Sequence, residues 1–332
     1  MARSDLLKKM FLSYQKGDDT SFREAAEEVI LDERKKKHNI LADQLQGLLK
    51  GREPRPLHVA SLKPLPKGRD DVSLLALENP QRTFDEVVLK SDTRGLLLEI
   101  VREFRSAGVL HAHALRPRNH LLFIGPPGCG KSVTAEALAS ELGIPLARVQ
   151  LATVVSSYLG DTSRNLEAIF SFCEQGSWVL LFDEIDTLAK ERADRSDHGE
   201  LKRVVTAFLQ LLDQFLGESI VIAATNHPAL LDEAVWRRFD EVVAFPLPET
   251  KETAAFLELK LRSTRFQFSL HELAGRMGGL TFAEVEVVCD GALRRQVLDG
   301  RTVLEMSDVE RGLRRMEERR RAIQAFEDPN LQ

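Results

Sequence analysis

Between residues 121 and 245, short, largely apolar runs alternate with stretches of helical period. The runs are 121–124, 146–151, 178–182, 219–224 and 241–245. Runs of this length without polar alternation are what strands buried on both faces require. Between them, 162–175 is stopped by Gly176 and 201–215 is followed by Gly217, and both place apolar residues at helical spacing. Strands separated by helices predict an α/β unit: a parallel five-stranded sheet covered on both sides.

The pattern changes on either side of this core. An amphipathic helix is expected over 93–107. After Pro246 and Pro248 the period is helical only, over 249–262, 270–277, 282–298 and 307–321. That change marks a smaller helical domain at 249–322, followed by a tail at 323–332, with the α/β domain at 82–248. Residues 52–81 carry Pro54, Pro56, Pro64, Pro66, Gly68 and Pro80 among mixed charges and read as a linker. Ahead of it, residues 1–51 predict three helices, 4–14, 21–37 and 39–50. Leu6, Leu7 and Phe11 mark one apolar face, and Phe22, Ala26, Val29 and Ile30 another.

Composition narrows the picture only a little. The 332 residues carry a formal net charge of -5 and are 43% hydrophobic, enough for real cores and without the global basic field that would demand a nucleic-acid partner. No window approaches a membrane span and the N-terminus lacks the apolar run of a signal peptide, so a soluble, cytoplasmic protein with no membrane partner is expected. Cys129, Cys173 and Cys289 have neither paired nor metal-like spacing, and the last two sit among apolar residues as small core residues would.

The chemistry concentrates in two places. After the strand at 121–124 come Gly125, Pro126, Pro127, Gly128, Cys129 and Gly130, then Lys131, Ser132 and Val133 at the start of a helix. Glycines in such a turn let backbone N–H groups point inward, and a helix N-terminus beneath them adds partial positive charge, so the loop suits a polyanion such as a nucleotide phosphate chain. Lys131 would reach the outer phosphates and Ser132 would ligate Mg²⁺. The second place is the end of the run at 178–182, where Asp183 and Glu184 stand side by side. Acids at the carboxyl end of such a strand lie where α/β sheets bind ligands. Asp183 suits holding Mg²⁺ through water, and Glu184 suits activating a water.

GPPGCGKS, YLGDT, LLFDEID and AATNHPALLDEAVWRRFD, in this order and spacing, resemble the AAA family of ATPases over roughly residues 82–320. Single-ring remodellers of the spastin, katanin and ESCRT-disassembly kind and the ATPase part of FtsH-like machines are the nearest in look. The resemblance implies a P-loop AAA fold with a helical lid domain, ATP and Mg²⁺ as cofactors, and a homo-oligomer, a hexameric ring, with ATP bound between neighbours. It also implies residue roles. Asn226 takes the position that senses the γ-phosphate, although read alone it is also a turn-former before Pro228. Arg237 and Arg238 match the arginines offered to a neighbour's ATP, in a position where paired arginines could otherwise be plain surface charge. Tyr158, Leu159 and Gly160 match the loop that grips a polypeptide in the central pore, or else bury a tyrosine at a strand–helix junction. The segment 190–200 fits a second pore-facing or inter-subunit loop and equally a solvated one. Residues 84–89 lie where relatives meet adenine, with Val88 and Leu89 in place of the usual glycine pair, and Gly278 to Thr281 followed by the 282–293 helix resembles the lid segment beside the nucleotide.

No H-E-x-x-H occurs, so the zinc protease of FtsH-like chains is not expected. ATP-driven remodelling of a protein client is the function this implies, with the N-terminal helices choosing the client. A separately encoded subtilisin-like serine protease is a partner suggested by analogy with bacterial ATPases of similar outline. The alternative is an ATP-dependent assembly switch on nucleic acid, and a third option is an activase for a dedicated enzyme client.

Overall fold

The structure, a computed structural model, describes residues 13, 19–35, 64–68, 71–155, 159–186, 198–231 and 233–327. The chain divides into two compact units, Met1–Val59 and Ala60–Gln332. In the first, a helix spans Asp19–Lys35 and buries Ala25, Ala26, Val29 and Ile30, the face expected from their spacing. The helices expected at 4–14 (Ser13 apart) and 39–50 lie outside the described residues.

The second unit is built on a six-stranded sheet: β1 (Leu75–Glu78), β2 (His120–Ile124), β3 (Leu146–Val149), β4 (Val179–Phe182), β5 (Ile220–Thr225) and β6 (Glu241–Ala244), in the order β1-β3-β4-β5-β2-β6. The five expected strands pair in parallel. The sixth, β1, was not expected. It lies within the stretch read as linker and pairs antiparallel with β3. Its prolines and charges hid a four-residue strand, Leu-Ala-Leu-Glu, that covers what would otherwise be an open sheet edge.

Strand alternation divides the core into two layers. Leu122, Leu180, Phe182, Val221 and Ala223 face helices Leu159–Cys173 and His198–Gln214, which bring Leu166, Ile169, Phe170, Phe208 and Leu212. Leu121, Phe123, Val179, Leu181 and Ile222 face helices Ser91–Arg105 and Lys131–Leu142, which bring Leu97, Ile100, Val101, Ala135 and Leu138. Every residue of β4 and β5 is buried, which is why neither strand shows polar alternation. Cys173 and Cys289 sit in the packed interior, and burial pushes both thiols up to about 12.

Beyond Pro248, helices Thr250–Leu261, Leu270–Arg276, Phe282–Leu298 and Met306–Glu327 enclose a core of their own around Leu257, Leu273, Met277, Val288 and Leu304. This region is not purely helical: Arg265–Phe266 and Val303–Leu304 form a short parallel pair. The last helix also runs through Glu327, so part of the expected tail is helix.

Arg118, just ahead of β2, joins sheet to helix. It donates to Glu103 through Nε (3.0 Å) and Nη2 (2.5 Å), to Glu241 of β6 through Nη1 (2.5 Å), and lies 3.2 Å from Glu99. Burial works against the charge of Glu103, but the Arg118 bonds prevail and hold its carboxyl below the usual range. A folded pKa below the unfolded one gives stability that is full above the unfolded value and is lost as pH falls through the folded value. Arg118→Ala should therefore destabilise the domain by about 1–3 kcal/mol near neutral pH. It should also flatten the acid limb of stability below roughly pH 4, as urea titrations across pH would register.

Candidate nucleotide site

β2 ends at Ile124, and the chain turns through three glycines with positive φ: Gly125 (147°), Gly128 (74°) and Gly130 (98°). Gly125 has no room for a side chain, since a Cβ there would stand 2.1 Å from the Phe245 carbonyl oxygen. The turn delivers Lys131 to the first position of its helix, with Gly130 as the cap. The Lys131 side chain is buried, and its Nζ donates to the carbonyls of Gly125 (2.6 Å) and Pro126 (2.9 Å) and to Asn226 Oδ1 (2.8 Å). Burial lowers its pKa, opposed by Cys129, Asp183, Asp186 and Glu184 nearby.

One residue on, Ser132 Oγ donates to Asp183 Oδ2 at 2.6 Å. Asp183 closes the end of β4 and is also approached by Arg148 Nη1 of β3 at 3.3 Å. Arg148 in turn donates to Glu78 of β1 through Nε (2.9 Å) and Nη2 (3.3 Å), so the unexpected edge strand anchors a guanidinium beside the acid pair. Glu184 adopts φ 55°, a left-handed conformation that costs a non-glycine residue about 1–3 kcal/mol. The turn is held by Glu184 N–H donating to Asp183 Oδ1 (3.1 Å) and Ile185 N–H donating to the Ala224 carbonyl (2.9 Å). Asp186, almost fully buried, accepts from Thr225 Oγ1 (3.1 Å) and from Asn226 N–H (3.3 Å). It fixes the end of β5 and hence the amide that meets Lys131.

The helical domain reaches the loop directly. Ala283 N–H donates to the Gly128 carbonyl at 3.1 Å, and a Cβ on Gly128 would stand 2.8 Å from Ala283 Cβ and 2.9 Å from Thr281 Oγ1. A cavity of about 500 Å³ opens between the two parts, inside the roughly 300–1,000 Å³ range of small-molecule sites. Of the predicted nucleotide contacts, Pro127, Gly128, Gly130, Lys131, Ser132 and Val133 line it, as do Asp183, Glu184 and Asn226. Gly125 and Pro126 act from behind through their carbonyls, and Cys129 turns into the core. Val87, Val88, Phe256 and Phe282 also line the cavity, together with Arg82, Glu86, Lys260, Arg262 and Glu286. The turn at Phe84–Glu86 that leads into it is held by Arg94, which donates to the Phe84 carbonyl (3.0 Å) and to Asp85 (2.6 Å).

Arg237 and Arg238 do not join this group. Arg237 pairs with Glu233 at 2.5 Å and Arg238 with Asp213, both on the surface. Tyr158 and 190–197 lie outside the described residues, and Leu159 and Gly160 open the Leu159–Cys173 helix.

The family described as "ATPase family associated with various cellular activities (AAA)" matches residues 121–247, a span from β2 to just past β6. An AAA family ATPase of Sinorhizobium fredii, y4kL, is 40% identical over 329 residues, covering 98% of both chains. This chain belongs to the AAA family of ATPases. The AAA chain is also similar to the ATP-dependent zinc metalloprotease FtsH 3 of Sphaerobacter thermophilus (31% over 282 residues, 82% of this chain and 58% of that one). With the proteasome-activating nucleotidase of Pyrococcus horikoshii it shares 28% over 265 residues, 77% of this chain and 66% of that one. It therefore spans just over half the length of the FtsH relative. As an AAA ATPase it binds and hydrolyses ATP, and the cavity fits that substrate: a glycine turn too close to Phe245 for any side chain, a lysine ammonium whose hydrogen bonds go to neutral oxygens, and apolar side chains in the wall for a base.

Several residues of this AAA site were not singled out in the sequence, among them Phe256 and Lys260 of the cavity wall and, behind it, Asp186 and Arg148. Asp186 was visible as the third acid after β4, but its partner Thr225 is adjacent only through the sheet. Arg148 had no signal at all, because its partners Glu78 and Asp183 come from different strands. Gly128→Ala must adopt a left-handed conformation and displace Ala283 or Thr281. It should weaken ATP binding about tenfold or more, as titration with a fluorescent ATP analogue would measure. Lys131→Ala should weaken it on the order of 10²-fold or more through loss of a charge-assisted phosphate contact.

Proposed function

We propose that this ATPase works as a six-membered ring that remodels a protein client, with each ATP held between neighbouring subunits. The observation that carries the reading is the placement of Arg237 and Arg238. They follow β5 in the expected position, yet they stand on the surface bound to Glu233 and Asp213 and not among the residues lining their own cavity. An always-charged fork outside its own site is suited to a neighbour's, where it would stabilise the charge of phosphoryl transfer. A protein client is supported by the names of two relatives, a metalloprotease dependent on ATP and a nucleotidase that activates the proteasome.

Within the site, Lys131 holds the outer phosphates, Glu184 takes the proton of the attacking water, and Asn226 orients that water. Ser132 and Asp183, already facing each other through a hydroxyl and a carboxylate, form the oxygen donor set that a hard cation such as Mg²⁺ requires. When bound, that cation supplies charge neutralisation at the phosphate oxygens. Tyr158, Leu159 and Gly160 grip the client in the pore, and the helices of 1–51 select it. The domain limits follow those drawn from the sequence, with β1 assigned to the α/β domain and the lid domain carried through Glu327. A separate protease, if the client is degraded, acts on what the ring unfolds.

Subunit mixing tests the shared site. Arg238→Ala and Lys131→Ala should each lose turnover on the order of 10³-fold alone. Mixed rings should regain part of it, because some interfaces pair an intact Lys131 with an intact Arg238. No recovery on mixing would show that the arginines serve their own subunit. Tyr158→Ala should abolish unfolding of a tagged client while ATP binding stays intact, whereas unchanged client handling, or nucleic acid copurifying with the ring, would favour the assembly switch.

A further inference from the structure

Arg320 lies near the end of the last helix, Met306–Glu327, yet its side chain returns to the segment that touches the phosphate loop. Its Nε donates to Glu284 Oε1 (2.7 Å) and its Nη2 to Glu284 Oε2 (2.6 Å), a two-pronged ion pair, and Nη2 also donates to the Gly279 carbonyl (2.9 Å). Glu284 is the reciprocal capping residue of the Phe282–Leu298 helix: its Oε2 accepts from Thr281 N–H (2.8 Å), and its own N–H donates to Thr281 Oγ1 (3.3 Å). The next contact in line is Ala283 N–H on the Gly128 carbonyl, in the middle of the phosphate loop. The two helices are also closely packed, since a Cβ on Gly312 would stand 3.1 Å from the Val288 carbonyl oxygen.

We propose that Arg320 is a positioning residue for nucleotide affinity: it clamps the turn at Gly279–Thr281 so that the N-terminus of the 282–298 helix stays seated on Gly128. The lid segment offers no cation of its own to the phosphates from its first residues, which are Phe282, Ala283, Glu284 and Val285. Its hold on the loop is a backbone bond and close packing, and both depend on where the turn before the helix sits. Arg320 sets that position from the C-terminal helix without reaching the cavity, whose lining does not include it. The carboxyl of Glu284 is held below its usual range chiefly by the Arg320 bond, so the pair is charged at neutral pH. A charge-assisted fork is the strongest contact available at a half-exposed position, and lysine cannot reproduce it.

Arg320→Ala should raise the Kd for both ATP and ADP, measured with fluorescent analogues, by about tenfold. The kcat at saturating ATP should stay within about twofold, because no reacting atom is touched. Arg320→Lys should recover only part of the affinity. Arg321→Ala, on the neighbouring and more exposed arginine, should leave it unchanged. Without nucleotide, the Ala283 amide should exchange its hydrogen faster in Arg320→Ala than in the wild type. If Arg320→Ala does not fold, Glu284→Gln keeps the capping box while removing the charge, and must show the same loss of affinity. An unchanged Kd in a folded variant, a fall in kcat at unchanged Kd, or an equal loss from Arg321→Ala would each overturn the proposal.

Discussion

The buried ammonium of Lys131 is the constraint on which the site depends. Three neutral oxygens, from Gly125, Pro126 and Asn226, accept its hydrogen bonds, while burial lowers its pKa against the opposing charges of Cys129, Asp183, Asp186 and Glu184. Holding it there requires the loop to double back, which requires left-handed glycines. The loop in turn fits only because Gly125 yields to the carbonyl of Phe245. Each of these oxygens is fixed from elsewhere: Asn226 by Asp186, and the loop by β6 on one side and the lid helix on the other. A polyanion entering this cavity meets an ammonium whose present partners are all uncharged, so exchange for phosphate oxygens is favourable.

The same connectivity explains what the chain reveals before folding and what it conceals. Of the five parallel strands, β4 and β5 were legible because burial on both faces leaves no polar alternation, β2, β3 and β6 because they are mostly apolar and separated by helices, and the phosphate loop because its glycines, lysine and serine are contiguous. β1 was concealed: its four residues sit in a proline-rich segment, and their apolar partner is β3, some seventy positions away. Arg148 and Asp186 were concealed for the same reason, since each acts through residues brought close only by the sheet. The lid segment Gly278 to Thr281 was legible as a neighbour of the nucleotide, but its clamp by Arg320 was not. That arginine lies in the basic run 311–321, which from sequence reads as a charged helix end or an interaction surface and gives no sign of an inward contact. In the last helix, length and composition said where charge would be; packing on the 282–298 helix decided which charge turned inward.

Within the second unit, sheet and lid each contribute to the wall of the nucleotide cavity. The sheet supplies Lys131, Ser132, Asp183, Glu184 and Asn226 from the carboxyl ends of neighbouring strands, with positions fixed by a fully buried core. The lid meets the same loop through the Ala283 amide on the Gly128 carbonyl, with Ala283 and Thr281 packed where a Gly128 side chain would stand.

The most direct measurement is the mass of Glu184→Gln by light scattering, with and without Mg-ATP. Slowed hydrolysis should retain ATP between subunits, so a six-fold assembly is predicted with nucleotide and a smaller species without it. A monomer that binds ATP yet never assembles would contradict the shared site on which this account of the two arginines rests.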